Sequence, residues 1–260
     1  MRTISIINLK GGVAKTTSSI NIAYILTQRG YKVLLVDNDK QGDCSRGLNR
    51  RTSDGDGIDR IMTDRHPDMQ SLIHGTDYEN LDIITANLGL LTANTKVTMD
   101  RVRPQQNRLK KALQQVSDQY DFCVVDNAPD INVSVINALT AAEDVLIPIE
   151  VDDNTMEGMK ELLEQIEEVK EEVNPDLKTV KCFITKYQKR NEAHRQGAEI
   201  VKKWYPTMET MIRFSVVVAK STFVRTPVTL YSPRSAAAED YEKLVTEYLN
   251  MIGGNENGEI

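Results

Sequence analysis

The sequence predicts an α/β fold, a doubly wound, mostly parallel sheet with helices on both faces, and three observations carry that prediction. Short apolar, β-branched runs recur along the 260 residues and alternate with segments of helical periodicity. Two of the runs, Lys32 to Asp37 and Tyr120 to Asp126, end in an acid, as buried parallel strands do when their C-terminal edge faces a ligand. A third, around Ile4, Ile6 and Ile7, breaks into a glycine pair, a lysine and two threonines just before a helical pattern begins.

In chain order, the helix after that first strand runs from Thr16 to Arg29, with Ile20, Ala23, Ile25 and Leu26 on one side and Gly30 as its stop. The Lys32–Asp37 strand follows. From Cys44 to about Asn80 the chain is polar, with helical pieces only at Ile58–Met62 and Met69–Ile73, which reads as a surface excursion. Then come a strand at Leu81–Ile84, helices at Leu88–Thr98 and Gln105–Val116, and the Tyr120–Asp126 strand. A helix at Val133–Ala142, a strand at Val145–Ile149 and a long acidic helix at Thr155–Val173 continue the alternation. The Thr179–Ile184 strand, the Asn191–Trp204 helix and a closing helix at Glu239–Met251 complete it. Residues 1–251 are expected to form one domain and residues 252–260 a frayed tail.

Composition narrows the function. Three cysteines lack any C-x-x-C spacing, against a disulfide framework or a closed zinc site, and a reducing cytoplasm is expected. Three histidines are too dispersed for a metal site. The chain enters its first strand without a leader pattern, and no apolar run is long enough to span a bilayer, so a soluble protein is expected. The net charge of −6 alone points away from nucleic acid, but between Lys181 and Arg225 ten Lys/Arg face three Glu. The average hides a basic segment.

Chemistry concentrates at Lys10 to Thr17. Gly11 and Gly12 let the backbone turn its N–H groups inward, and Val13 and Ala14 complete the turn. Lys15 brings a charge to β- and γ-phosphates, and Thr16, followed by Thr17, offers a hydroxyl to Mg²⁺. The natural ligand is a nucleoside triphosphate. Leu9 and Ala14 stand where the strict G-x-x-x-x-G-K-[ST] pattern has glycine, and Lys10 adds a second lysine at the loop's head. Asp37, Asp39 and Asp126 fall at or just beyond strand ends, where open α/β sheets bind ligands.

The arrangement K-G-G-x-x-K-[ST] resembles the deviant Walker A loop of the ParA/MinD family of ATPases, and in particular the short, Soj-like ParA form. The resemblance runs from about residue 2 to 248 and is most specific at the phosphate loop. It implies ATP and Mg²⁺ as cofactors, with Lys10 reaching the nucleotide of a partner subunit in an ATP-dependent homodimer. Asp126 resembles the Walker B carboxylate, and V-D-N-D-K-Q-G-D resembles the family's V-D-x-D-P-Q-G. By that match Asp39 orients the attacking water and Asp37 stands near the metal. Lys40, Asn127 and Asp130 depart from the family pattern. Met156-Glu157-Gly158 resembles the family's L-E-G, and the Thr226–Ser235 stretch resembles its C-terminal P-V-x-x-Y-x-P-x-S, which assigns Pro227 and Val228 to the adenine pocket.

The resemblance further implies non-specific DNA binding through Lys186, Lys189, Arg190, Arg195, Lys202, Lys203, Arg213 and Lys220, and a ParB-like partner that stimulates slow hydrolysis. The expected role is partition of a plasmid, chromosome or mobile element, in the cytoplasm and on the nucleoid when ATP is bound. A MinD-like, membrane-associated division-site ATPase is the alternative. Its C-terminal amphipathic helix is hard to build from the acidic, glycine-broken terminus here, so no membrane partner is expected.

Overall fold

The structure, a computed structural model, describes residues 1–53, 55–152 and 155–256. The elements are β1 (Arg2–Ile6), α1 (Lys15–Gln28), β2 (Val33–Asn38), α2 (Asp43–Gly47), α3 (Ile58–Thr63), α4 (Met69–Leu72), β3 (Ile73–Gly75), β4 (Leu81–Ile84), α5 (Gly89–Met99) and α6 (Arg108–Gln114). They continue with β5 (Phe122–Asn127), α7 (Val133–Ala141), β6 (Asp144–Glu150), α8 (Thr155–Glu172), β7 (Thr179–Thr185), α9 (Glu192–Trp204), α10 (Val216–Phe223), α11 (Val228–Tyr231) and α12 (Ala236–Glu256). The seven strands order as β3-β4-β2-β5-β1-β6-β7, parallel except for the β3–β4 pair.

The apolar runs are continuous because both faces of the sheet are covered. In β2, Val33 and Leu35 join the cluster under α1 and α12, while Leu34 and Val36 join the opposite cluster under α3 to α7. A third cluster packs Met159, Leu162, Ile166 and Val169 of α8, with Ala198 and Val201 of α9, onto β6 and β7. All three cysteines are free and buried, and burial pushes each thiol up, as packing residues require.

Several boundaries move, each for a reason held elsewhere in the chain. The 44–80 stretch is no solvated excursion: Ile58, Ile61, Met62, Met69 and Leu72 are buried, and Ile73–Gly75 adds an antiparallel edge strand. Helix α6 starts at Arg108 because the Asn137 side chain accepts the N–H groups of Arg108 and Leu109, at 2.7 and 3.2 Å. Residues 206–213 run beside β7 through Cys182 N–H to Pro206 O (2.8 Å), Met208 N–H to Cys182 O (2.8 Å) and Ile212 N–H to Ile184 O (2.8 Å), an irregular extension of the sheet. Helices α10 and α11 occupy a stretch to which the sequence reading assigned no element. Helix α12 starts earlier than expected and continues to Glu256, into the predicted tail, while residues 257–260 and the side chains of Met156 and Glu157 lie outside the described residues.

The closing helix docks through a buried ion pair. Arg2 donates to Asp144 through Nε (2.5 Å) and Nη2 (3.0 Å), and the Tyr248 hydroxyl donates to Asp144 Oδ2 at 2.7 Å. Asp144 is fully buried, so removing it takes a charged acceptor from both a guanidinium and a phenol. Asp144→Ala should lower unfolding stability by about 3–5 kcal/mol, read by denaturant titration. A loss below about 1 kcal/mol would mean that the pair contributes little to holding α12.

Candidate nucleotide site

The phosphate loop is fixed from behind at two points. Asn8 Nδ2 donates to the Pro148 carbonyl (2.8 Å) while its Oδ1 accepts the Lys10 N–H (2.9 Å), tying the loop's entry to β6. On the far side the Thr185 hydroxyl reaches the Val13 carbonyl (3.1 Å) and the Ile149 carbonyl (3.2 Å), tying the loop to β7. Between these anchors the backbone turns through Gly12 at φ 79° and Ala14 at φ 70°. Ala14 thus adopts the left-handed conformation for which glycine is the usual choice, at a cost of about 1–2 kcal/mol. The turn opens α1, whose first turn carries no acid to compete with an anion.

Lys15 is 7% exposed and its Nζ donates to the Lys10 carbonyl at 2.9 Å. Burial lowers its pKa, opposed by Asp126, Asp39 and Asp130. Lys10 itself pairs with Asp152. Asp37 and Asp126 face each other in the β2–β5 register. Asp126 accepts hydrogen bonds from Ser19 Oγ (2.8 Å) and the Thr16 side chain. Asp37 accepts the Ser45 N–H (2.7 Å), the Ser45 hydroxyl (2.6 Å) and the Asp39 N–H (3.2 Å). Burial, reinforced by the neighbouring Asp126, pushes Asp37 up to about 7. Burial pushes Asp126 up to about 6 against the hydrogen bonds of Thr16 and Ser19 and the charge of Lys15. Two carboxylates that burial drives toward neutrality, beside a threonine hydroxyl, suit a divalent cation whose charge would keep both ionised.

A cavity of about 770 Å³ opens from this floor. Gly11, Gly12 and Ala14 to Thr17 wall the end at the loop; Ile20, Asn21, Arg46, Gly47 and Pro227 line it beyond, and Asp39 lines it too. Val13, expected among the nucleotide contacts, does not line it, because its side chain is buried. Pro227, assigned to the adenine by the resemblance, lines this cavity. Val228 does not line it: its side chain is fully buried in the core, and its N–H donates to Asn21 Oδ1 at 2.8 Å. Asp39 is half-buried, its Oδ1 turned back to the Gln41 N–H at 3.0 Å.

The family departures compensate one another. Lys40 and Asp130 approach each other at 3.9 Å across the cleft between the loops after β2 and β5. Asn127 Nδ2 donates to Ser5 Oγ (2.8 Å) and the Ile6 carbonyl (3.0 Å), and its Oδ1 accepts Asn38 Nδ2 at 2.8 Å, a buried polar ladder over β1, β5 and β2. Among the anchors, Asn8, Ser19, Asn21, Ser45 and Thr185 escaped the sequence reading; only Ser19, one helical turn past Thr16, carried a spacing signal.

The basic residues do not form one patch. Lys186, Lys189 and Arg190 lie at the C-terminal edge of the sheet before α9, whereas Lys202 and Lys203 lie at the far end of that 13-residue helix, about 20 Å away. Lys186 pairs with Glu150 (2.7 Å), Lys202 with Glu209 (2.6 Å) and Arg195 with Glu192. Arg213 is a structural residue, since it makes a two-pronged pair with Asp240 at 2.7 Å through both Nε and Nη2. Lys203 stands 5.7 Å from the Trp204 ring centroid. Lys189, Arg190 and Lys220 remain exposed.

Two outcomes follow from the loop and its floor. Ala14→Gly should keep nucleotide binding and change stability by no more than about 1 kcal/mol, since relieved strain offsets glycine's chain entropy. Ala14→Val, β-branched at positive φ, should lower the thermal midpoint and weaken binding, and parent behaviour there would mean the left-handed turn is dispensable. The raised pKa of Asp37 contributes stability that is fully present below about pH 4 and is lost as pH rises through about 7. Without nucleotide or Mg²⁺, the fall in thermal midpoint from pH 5 to pH 8 should be smaller in Asp37→Asn than in the parent; equal falls would remove Asp37 from the account.

The chain resembles known proteins along nearly its whole length. Residues 1–179 match a family described as AAA domain. The chain is 35% identical over 247 residues to the sporulation initiation inhibitor protein Soj of Bacillus subtilis, covering 94% of this chain and 96% of that one. It is 31% identical over 255 residues to the chromosome partitioning protein ParA of Caulobacter vibrioides, covering 96% and 94%. Among solved structures, cobyrinic acid a,c-diamide synthase from Mycobacterium smegmatis with bound ATP analog and magnesium superposes with a TM-score of 0.85 at 26% identity, covering 98% of this chain and 97% of that one. With its loop, its paired edge carboxylates and this likeness over nearly its full length, the chain belongs to the ParA/Soj family of P-loop ATPases.

Proposed function

We propose that this chain is a DNA-partition ATPase: it binds ATP and Mg²⁺, dimerises around the bound nucleotides, holds DNA without sequence preference in that state, and lets go after hydrolysis. The observation that carries this reading is Lys10 at the loop's head, its charge held on Asp152 beside the phosphate end of the cavity while Lys15 fills the loop's interior. One lysine suffices for the chain's own triphosphate; the other would exchange Asp152 for the phosphates of a second copy's nucleotide. Mg²⁺ would be held by Thr16 and phosphate oxygens, with Asp126 acting through water and Asp37 behind it, and it would neutralise charge on the phosphates.

The chain's own groups divide the work. Lys15 and the inward N–H groups of Gly11 to Thr17 bind the β- and γ-phosphates, and Pro227 with Asn21 backs the base. Asp39 can swing from its turn contact with Gln41 to orient the attacking water. Lys189, Arg190 and Lys220 supply the DNA contacts, since their charges are not spent on internal pairs, and two subunits would double those contacts. A ParB-like partner accelerates hydrolysis. The site of action is the cytoplasm, on the nucleoid when ATP is bound. Helix α12 buries Tyr241, Leu244, Val245, Tyr248 and Ile252 in the core, so its apolar face is not available to lie on a membrane.

Sedimentation with DNA in ATP, ADP and no nucleotide tests the whole reading, with DNA carried down only in ATP. Lys10→Ala should still bind ATP as a monomer but fail to dimerise, whereas Asp39→Ala should dimerise and accumulate with slow turnover. An ATP dimer in Lys10→Ala, seen by gel filtration, would refute the role in trans. Replacing Lys189, Arg190 and Lys220 together with alanine should abolish DNA binding at about 0.15 M salt and flatten its salt dependence while sparing the ATP dimer. Undiminished binding would move the DNA surface elsewhere, and the Arg101 to Lys111 stretch is next to test.

A further inference from the structure

Arg225 sits in the turn between α10 and α11 at φ 54°, a conformation uncommon for any residue but glycine and asparagine. Two hydrogen bonds close the turn around it, its own N–H to the Thr222 carbonyl (3.1 Å) and the Thr226 N–H to the Ser221 carbonyl (3.0 Å). Strain of this kind, held by its surroundings, is a mark of functional positions. The side chain reaches well beyond the turn. It lines the nucleotide cavity between Thr222 and Pro227, and its Nη1 donates to Asn49 Oδ1 at 3.0 Å. Asn49 follows α2, whose Arg46 and Gly47 also line the cavity, and it is itself left-handed at φ 56°. The guanidinium thus joins two cavity-lining segments whose bonded residues lie 176 apart in the chain.

The cavity has a direction. Gly11, Gly12 and Ala14 to Thr17 mark its phosphate end; Ile20 and Asn21 lie one turn of α1 farther on, with Pro227 beside them through the bond from the Val228 N–H to Asn21. Arg225 belongs to the second group. We propose that Arg225 is a nucleotide-holding residue that clasps the base and ribose end of the ligand, closed on Asn49. The inference rests on the nucleotide reading above and adds the residue that retains the nucleoside. A planar guanidinium can lie against a purine face while one edge still donates to the asparagine, an arrangement a lysine cannot reproduce. It also takes Arg225 out of the basic segment, since its charge faces the nucleotide rather than DNA.

Glycine is the informative substitution at both positions, because it accepts positive φ and spares the fold. Titration calorimetry with Mg²⁺–ATP and with Mg²⁺–tripolyphosphate, which has phosphates but no nucleoside, separates the two ends of the cavity. Arg225→Gly should weaken ATP binding about 5- to 10-fold, corresponding to one desolvated cation–ring contact, and leave tripolyphosphate within about 2-fold of the parent. Asn49→Gly should weaken ATP by a smaller factor, about 2- to 3-fold, by freeing the guanidinium without removing it. Arg225→Lys should resemble Arg225→Gly, with thermal midpoints of both glycine variants at or above the parent. Unchanged ATP affinity in Arg225→Gly overturns the clasp, as does an equal loss for tripolyphosphate, which would make Arg225 a phosphate cation. A parent that binds tripolyphosphate as tightly as ATP overturns the clasp and leaves the phosphate loop standing, while a parent that binds neither overturns both readings.

Discussion

The parallel register of β2 and β5 sets Asp37 directly against Asp126, and the site depends on that juxtaposition. Two carboxylates side by side in a water-poor place repel each other and resist ionisation, so something must stabilise them. The structure answers with local donors: Ser45 and the Asp39 N–H on one, Ser19 and Thr16 on the other, with Lys15 close by. Those donors come from α1 and α2 and the loop before α2, so the phosphate loop, the loop after β2 and the two helix starts are held to one another through a single pair of acids. A polar floor of this kind is poorly compensated until a cation arrives, which favours function over stability at this point in the core.

Much of this was legible in the sequence because it was written locally. The alternation of apolar runs and helical segments gave the sheet and its layers, and the spacing from Lys10 to Thr17 marked a loop that the structure sets against the cavity. What stayed hidden was written at long range. No local pattern says that Asn137 caps α6, that Thr185 holds the Val13 carbonyl, or that residues 206–213 align with β7. The 44–80 stretch misled for the opposite reason: its polar turns outnumber its apolar residues, yet Ile58, Ile61, Met62, Met69 and Leu72 are the ones that pack. Charge misled too. A run of lysines and arginines predicts one surface, but folding distributes it over two ends of α9 and spends several members on internal acids.

The departures from the family pattern follow the same logic of paired change. Lys40 in place of proline and Asp130 in place of an uncharged residue look like two separate lesions in the sequence; in space they are opposite charges facing across one cleft. Asn127 likewise finds Asn38, Ser5 and the Ile6 carbonyl, so a buried amide that would be costly alone is almost fully bonded. These substitutions trade the stiffness of a proline loop for an electrostatic tether between the two loops that flank the carboxylates.

The sheet's two margins bear on how copies of this protein can meet. At one margin lies β3, three residues long and antiparallel; at the other, the 206–213 stretch covers β7 with interrupted hydrogen bonding and a proline at its start. Neither offers the long row of free N–H and C=O groups on which another chain's strand could grow. The sheet is thereby spared the route by which exposed edges polymerise into aggregates.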